Sequence, residues 1–242
     1  MKKLLFLIFV FSKVAWSADL ASELLKATDQ GRGGFSQGIQ WDAQIETFEN
    51  DEQSKREFLV RVKQNDAYVE ATAPAKNKNE VYLFNDRQMW FFKPSLKKPV
   101  SISARQKLSG QAANGDIAST HYARDYKATL EKTEVIKGEK FHVLFLKANS
   151  KNLTYDQIRY WVSDKTKLAS KAEFLTLQGK AFKIGELEYK NRLTLNGKSI
   201  AFVSQLTITD AKFNKNKSII KYSNPQIFDH ADSLFNVNNL TR

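Results

Sequence analysis

The sequence predicts a mainly β protein of the α+β class, in which one N-terminal helix precedes about eleven strands. After Gly34, apolar and polar residues alternate with a period of two through most of the chain, whereas the stretch before it has helical spacing. Turn residues separate the alternating runs at short, near-regular intervals. Because strands twist, a sheet of this size curls, and the sequence favours a sandwich, a barrel or a half-barrel.

The first residues of the 242-residue chain are typical of a secretory signal peptide. Lys2 and Lys3 precede an apolar run from Leu4 to Phe11, and Ala15-Trp16-Ser17 is a small-x-small cleavage motif. The apolar run is too short to cross a bilayer. We therefore expect residues 1–17 to be removed and residues 18–242 to form a single exported domain.

Composition limits the partners of the exported domain. The chain has no cysteine, so we expect neither a disulfide nor a lipid-bearing cysteine, and a soluble protein. Without residues 1–17, 35 basic and 26 acidic residues remain, a net charge of +9. This charge either attracts an anionic partner such as a membrane surface or simply keeps the protein soluble. Nucleic acid is not expected, because the lysines are scattered and not interleaved with stacking aromatics.

The N-terminal helix is predicted over residues 19–30. Leu20, Leu24 and Ala27 share one face at helical spacing, and Asp19 can cap the first turn. Glycines from Gly31 onward end the helix.

The first half of the sheet is predicted from five alternating runs. Strands are expected over residues 35–45, 58–63, 68–72, 81–84 and 88–92. A basic turn bracketed by Pro94 and Pro99 then leads into a short β segment over residues 100–103. From residue 104 to 126 the strand pattern stops, and we expect a long loop with a short helix near residues 119–125.

The second half contains seven further runs with strand periodicity. They cover residues 130–136, 140–147, 157–163, 171–178, 183–195, 198–210 and 218–222. The Asn196-Gly197 pair between two of them is the strongest short hairpin signal that a sequence offers. We expect an antiparallel meander, closed by a helical turn over residues 229–235.

The sequence contains no recognisable catalytic, metal or cofactor motif. His121, His142 and His230 stand far apart without a second ligand at metal spacing, and no thiol is available. Neither a Gly-x-Ser-x-Gly elbow nor a Gly-rich phosphate loop occurs. We therefore predict no catalytic residue, metal or cofactor, and a protein that is not an enzyme. A glycosidase-like carboxylate pair stays open, since spatial separation is invisible in a sequence.

Aromatic residues are abundant in the predicted strands. Any single one is best interpreted as ordinary core, but together they suggest that a curved sheet encloses an apolar concavity for an apolar ligand. The predicted cavity residues are Phe35, Ile39, Trp41, Ile45, Phe58, Val60, Val62, Trp90, Phe92 and Tyr160. Lys93, Lys97 and Lys98 are predicted to form a basic rim that faces an anionic head group or a partner.

A resemblance to a known family is carried by the centre of the chain. The run Trp90 to Ser103, WFFKPSLKKPVSIS, resembles the corresponding motif of LolA-like outer membrane lipoprotein-sorting proteins of Gram-negative bacteria. Lys107, Ser109 and Gly115-Asp116 extend the similarity, as does the end of the chain from residue 228 to 240.

The resemblance implies an incomplete antiparallel β-barrel, a half-barrel, capped by helices. We further expect the N-terminal helix and the loop over residues 104–125 to close over the sheet as a lid. The resemblance also implies a monomeric periplasmic carrier or chaperone that holds lipoprotein acyl chains, or other lipid such as phospholipid or glycolipid, on its way to the outer membrane. An inner-membrane transporter and an outer-membrane acceptor would be its partners.

One alternative keeps the fold and changes the role. In it the protein is a periplasmic sensor or interaction module that docks on an envelope transporter or regulator without cargo, and a filled concave face would favour it. Residues 74–80 and 111–122 depart from the family pattern. We expect cargo specificity in the Gly/Asn-rich part of the central stretch, where the second of these segments begins.

Overall fold

The computed structural model describes residues 11–86, 88–118 and 120–241, with side chains from Asp19 onward. Within these residues the alternating runs form seventeen strands. Their bounds are β1 (Ile39–Glu49), β2 (Glu52–Lys63), β3 (Asp66–Ala73), β4 (Val81–Asn85), β5 (Gln88–Phe92), β6 (Val100–Ile102), β7 (Lys107–Ser109), β8 (Ala112–Ala113), β9 (Tyr126–Ile136), β10 (Glu139–Ala148), β11 (Gln157–Ser163), β12 (Ala169–Leu175), β13 (Ala181–Glu188), β14 (Asn191–Leu195), β15 (Lys198–Phe202), β16 (Gln205–Asp210) and β17 (Lys217–Ile227).

Thirteen of these strands form one antiparallel sheet in the order β6-β5-β4-β3-β2-β1-β17-β16-β13-β12-β11-β10-β9. β1 pairs with β17, so the first and last strands meet in the middle of the sheet. β6 and β9 are the two edges and do not pair with each other, so the sheet is an open half-barrel. This confirms the predicted fold class, although about eleven strands was an undercount and the β1–β17 and β13–β16 pairs depart from a simple meander.

Two predicted strands each divide in two. The run 183–195 becomes β13 and β14, and the run 198–210 becomes β15 and β16. Between them β14 and β15 form a separate hairpin, turning at Asn196-Gly197 as predicted. Its Leu193 and Phe202 are buried in the main core cluster. Periodicity of two is the same on both sides of each break, which is why the sequence did not reveal that this hairpin leaves the sheet.

Helix α1 covers Phe11–Gln30, so it begins before the expected Asp19 and runs through the predicted cleavage point. Residues 1–10, which hold most of the predicted signal peptide, lie outside the described residues, and its removal stays a prediction. The buried face of α1 is rotated from the predicted one, because Leu20 is exposed while Ala21, Leu24 and Leu25 are buried. The helix ends at the glycines as expected, with Gly33 at a φ of 96°.

The pleat of the sheet separates two apolar faces. Inward residues of β1 such as Ile39, Trp41 and Ile45 belong to the large cluster on the concave face. On the convex face, Val81 and Leu83 of β4 form a smaller cluster. The chain after β17 covers that cluster through short 3-10 turns at Asp232–Phe235 and Val237–Asn239, in the region where a closing helical turn was predicted.

The C-terminal cover of the convex cluster can be tested by truncating its central side chain. Phe235 is 3% exposed and packs with Val81 and Leu83. We expect Phe235→Ala to lower the free energy of unfolding by about 3 kcal/mol, because it leaves a cavity. Urea denaturation measures this, and limited proteolysis should cut the last residues faster. Phe213→Ala, at a side chain that is 57% exposed, is the control; equal losses in both variants would contradict the assignment.

Candidate functional site: the covered concave face

Eight of the ten predicted cavity residues meet on the concave face of the sheet. They belong to one cluster, and each is at most 5% exposed. These eight are Phe35, Ile39, Trp41, Ile45, Phe58, Val60, Val62 and Tyr160. Direct pairing of neighbouring strands, as between Trp41 and Val60, makes the apolar surface continuous. That these side chains contact a ligand stays a prediction.

Trp90 and Phe92 are not part of this surface, so placing them on the inner sheet was wrong. They pack on the convex face with the Leu83 cluster, while Met89 and Phe91 of the same strand point to the concave side. The pleat alternates sides at every residue, and a run that is apolar at four successive positions does not show which two face inward.

The three predicted rim lysines lie in the turn between β5 and β6. Lys97 and Lys98 are exposed, and Lys93 is partly buried. The turn is at one end of the sheet. The structure therefore separates these lysines from the eight buried cavity residues.

Three elements fill the concave face. They are α1, the segment 103–125 that follows β6, and the β14–β15 hairpin, and we call them together the cover. Apolar residues of the cover, including Leu25, Ile117 and Phe202, are among the least exposed in the chain. In this state the concavity is occupied by the protein itself.

One junction joins α1 to the segment 103–125. The Asp29 carboxylate accepts hydrogen bonds from the backbone N–H groups of Tyr122 (3.0 Å) and Ala123 (2.8 Å), which begin the short helix α2 (Tyr122–Asp125). Burial raises the pKa of Asp29 from 3.8 to about 7. A Cβ atom at Gly34 would lie within 2.9 Å of Asp29 and of the Thr120 carbonyl oxygen, so this close approach requires glycine.

A buried arginine lies next to that junction. Arg32 is 7% exposed, and its guanidinium lies 4.4 Å from the centroid of the Tyr122 ring. Its charge also interacts with the phenols of Tyr160, Tyr189 and Tyr222 and with the carboxyl groups of Asp29 and Asp116. Burial raises the pKa of each of these tyrosines, so they stay neutral.

The buried donors on this face that have no hydrogen-bond partner within the described residues include the Tyr189 hydroxyl and the Trp41 indole N–H. An unpaired buried donor is costly unless water or a ligand satisfies it. The covered face is therefore amphipathic and has a cationic centre, which the predicted purely apolar cavity did not include.

Polar contacts also tie the segment 103–125 to the second half of the sheet. Asp116 accepts from the Ala113 N–H (2.8 Å) and from the Tyr155 hydroxyl (2.9 Å), and burial raises its pKa. The Lys183 ammonium donates to the Gln111 carbonyl oxygen at 2.6 Å, and burial lowers the pKa of Lys183. Asp116 and Tyr155 are buried and Lys183 is partly buried, so breaking these contacts without replacement would be costly.

A second group of contacts holds the β7–β8 turn. The Ser218 hydroxyl donates to the Ser109 carbonyl oxygen (2.9 Å) and accepts from the Gln111 N–H (2.8 Å). Gly110, between them, has a φ of 54°, and a Cβ there would lie 2.2 Å from Thr47. The turn is thus fitted closely against β1 and β17.

One attachment of the cover is different because it faces solvent. Arg105 forms a two-pronged ion pair with Asp156, at 2.7 and 2.6 Å, and both side chains are about one-third exposed. The hydrogen bonds from Arg105 lower the pKa of Asp156. The pair joins the chain just after edge strand β6 to the start of β11, and so links the two sides of the open sheet.

A small cleft lies beside the segment 103–125. Val62, Phe84 and Leu153 give it an apolar floor, and His121 and Asp66 are polar residues at its wall. Burial lowers the pKa of His121, so this imidazole is neutral near pH 7. Val62 belongs to the concave cluster, and the cleft therefore reaches the covered face from outside.

The other two histidines lie apart from the concave face. His142 is 2.8 Å from Asp164, and His230 is 3.3 Å from the Ile39 carbonyl oxygen. In the part of the chain that the structure describes, no three or more His, Cys, Asp or Glu side chains come close enough to hold a metal ion. Nor does that part contain a helix of the length and apolar character needed to cross a bilayer.

Comparisons with known proteins agree with this architecture. A family model whose description reads "Uncharacterized protein" matches residues 63–242. The chain belongs to this family. Among solved structures, a LolA superfamily protein from Nitrosomonas europaea is 28% identical and superposes with a TM-score of 0.80, over 90% of this chain and 98% of that chain. The chain has the LolA-like fold that its central motif suggested.

Two further structures support the fold alone, since their identities are low. A DUF1329 family protein from Desulfovibrio piger is 19% identical, with a TM-score of 0.76 over 93% of this chain and 99% of that chain. A domain named for outer membrane lipoprotein sorting, from Vibrio parahaemolyticus, is 17% identical, with a TM-score of 0.77 over 93% of this chain and all of that chain. No curated protein matches the sequence.

Sequence reasoning missed Asp29, Arg32, Arg105 and Asp116. The sequence contained one indication of a role for Arg32, which lies between two glycines directly after an amphipathic helix. A charged residue there must either face solvent or pair with buried groups. Nothing in the sequence showed that its partners come from β11 and from the chain around β13 and β17.

The Asp29 junction predicts a pH-dependent stability. The folded pKa of about 7 exceeds the unfolded value of 3.8, so the folded state holds a proton that unfolded chains have released. Stability should therefore fall as pH rises from about 4 to about 7, by roughly 3 kcal/mol for this group. Urea denaturation across this range should show a flatter profile for Asp29→Asn.

Asp19→Asn controls for the change of charge, since it removes an exposed carboxylate from the same helix. If Asp29→Asn and the unmutated protein lose the same stability between pH 4 and pH 7, the titration of Asp29 is not the cause of the loss.

Proposed function

We propose that the protein is a non-enzymatic periplasmic carrier that holds lipoprotein acyl chains or another lipid against its concave face and moves them toward the outer membrane. The observation that carries the proposal is the cover. An apolar concave sheet is occupied by a helix, a loop segment and a hairpin that pack on it and are not strands of it. The LolA-like fold of a 28% identical relative supports the same role.

The energetics allow a lipid to replace part of the cover. Removing an acyl chain from water is favourable by about 0.8 kcal/mol per CH₂, or roughly 13 kcal/mol for a chain of sixteen carbons. A chain lying on Val60 and Val62 would repeat the apolar contacts now made by cover residues such as Ile117. Loading then exchanges one set of apolar contacts for another, and the polar attachments of the cover set the cost of opening.

The attachments differ in how easily they open. Asp29 and Asp116 are buried, whereas Arg105 and Asp156 are partly exposed and their ion pair is weakened by salt. We therefore infer that opening begins at the Arg105 side, where the segment 103–125 leaves β6. The cleft at His121 lies along the same segment and would be the first part of the concave face to widen.

A second candidate function is favoured by the filled concavity. If the cover never leaves, the protein is an interaction module that docks on an envelope transporter or regulator and carries no cargo. Both candidates place the protein in the periplasm, and the carrier additionally needs a donor and an acceptor for its lipid.

Lipid analysis of protein purified from periplasm separates the two candidates. The carrier predicts that native mass spectrometry and solvent extraction find a co-purifying lipid, or that the delipidated protein binds a hydrophobic dye with saturation. Absence of both would exclude the carrier and leave the interaction module.

The Arg105–Asp156 pair offers a matched test of opening. We expect Arg105→Asp to speed exchange of a fluorescent fatty acid several-fold, because two facing carboxylates repel each other at the attachment. Stopped-flow fluorescence measures the rate. The double variant Arg105→Asp with Asp156→Arg restores an opposite pair and should return the rate toward that of the unmutated protein. Equal rates in all three proteins would show that the segment 103–125 does not open there.

A further inference from the structure

Antiparallel order brings six connections to the same end of the sheet. Each joins two neighbouring strands, and together we call them the basic end. They are residues 50–51, 74–80, 93–99, 149–156, 176–180 and 211–216. Residues far apart in sequence thereby share one surface.

Lysines are concentrated in these turns. Nine lie there, and within the described residues none of the nine forms an ion pair. They are Lys76, Lys78, Lys93, Lys97, Lys98, Lys151, Lys180, Lys212 and Lys215. The predicted rim of Lys93, Lys97 and Lys98 is one part of this larger set.

Acidic residues at the same end are fewer, and half of them form ion pairs. The six that lie in or beside the turns are Glu49, Asp51, Glu52, Glu80, Asp156 and Asp210. Of these, Glu49 bonds to Lys107, Glu80 to Arg56 and Asp156 to Arg105. Asp51, Glu52 and Asp210 remain against the nine lysines, so the surface has a positive excess.

The opposite end of the sheet lacks this excess. Its β9–β10 turn carries Lys137 and its β11–β12 turn carries Lys165 and Lys167, but Lys167 bonds to Asp164. Asp66, Asp86 and Glu139 lie in or beside the turns at the same end. The C-terminal chain adds Asp229 and Asp232 there, which pair with Lys63. The charge of the molecule is thus polarised along the strands.

Large apolar side chains stand among the lysines of the basic end. Leu177 is 68% exposed and Phe213 is 57% exposed, each in a turn. A hydrogen bond from the Ala211 N–H to the Phe182 carbonyl oxygen, 3.0 Å, holds their two turns side by side. The Lys212 ammonium lies 5.0 Å from the centroid of the Phe213 ring. Apolar tips flanked by flexible lysines suit the boundary between lipid head groups and acyl chains.

We propose that the basic end docks on a bilayer surface that contains anionic head groups. The lysine ammonium groups contact lipid phosphates, and Phe213 and Leu177 enter the interface between them. This docking depends only on exposed turns, so it holds whether or not the concave face carries lipid.

Vesicle flotation tests the docking. The probe is vesicles of phosphatidylcholine with 30% phosphatidylglycerol, compared with phosphatidylcholine alone, at low and at physiological salt. We expect binding to the anionic vesicles that weakens as salt rises, and at least tenfold weaker binding to neutral vesicles.

Charge reversals at the two ends form a matched pair. Lys212→Glu with Lys215→Glu changes the basic end, and Lys137→Glu with Lys165→Glu makes the same change of net charge at the opposite end. We expect the first variant to bind about tenfold more weakly and the second to bind within twofold of the unmutated protein. Circular dichroism checks that both remain folded.

Phe213→Ser with Leu177→Ser tests the apolar contribution, and should remove most of the binding that remains at physiological salt. Equal losses in the two charge-reversal variants would show diffuse attraction by net charge and overturn the proposal. Failure of the unmutated protein to float with anionic vesicles at low salt would also overturn it. Because no lipid needs to enter the concave face, these outcomes are independent of the lipid-extraction result.

Discussion

The closed structure depends on one buried junction, in which the Asp29 carboxylate accepts two backbone N–H groups at the start of α2. An open sheet with two free edges cannot bury its concave face by closing on itself, so other elements must cover it. Asp29 lies in the last turn of α1 and binds the segment 103–125, so it joins two of the three elements of the cover. The adjacent Arg32 and its tyrosines make this junction the polar centre of an otherwise apolar interior.

Under the proposed carrier function, the cover has two stable arrangements. With its contacts made, the concave face is filled by protein. With the contacts broken, a comparable apolar surface must fill it, because exposure to water would be costly. A lipid chain is a suitable substitute, and the unpaired donors of Tyr189 and Trp41 could then bond to a polar group of that lipid. If the protein is the carrier proposed above, its interior suits an amphipathic ligand better than a hydrocarbon.

The two proposals assign different surfaces to different tasks. In the first proposal, the concave face and its cover hold the lipid. In the second, the basic end binds the protein to a membrane surface. The turn with Lys97 and Lys98 lies directly before β6, and the segment 103–125 follows the C-terminal end of β6. Arg105, which forms the solvent-exposed attachment of the cover, therefore lies on the stretch of chain that follows a docked turn of the basic end.

The sequence by itself determined the fold class, most strand positions, the end of α1 and the LolA-like resemblance. These follow from local rules: side-chain alternation, glycine at turns, and a motif within one continuous run. It also found eight of the residues on the concave face, since alternation marks a face once one member is known. The sequence could not show which residues of β5 face the concave side, and in the structure Trp90 and Phe92 lie on the convex side. Only the tertiary structure decided that β14 and β15 leave the sheet, that α1 and the segment 103–125 meet at Asp29, and that six distant turns form one basic surface. Each of these depends on contacts between residues far apart in the chain, which periodicity does not record.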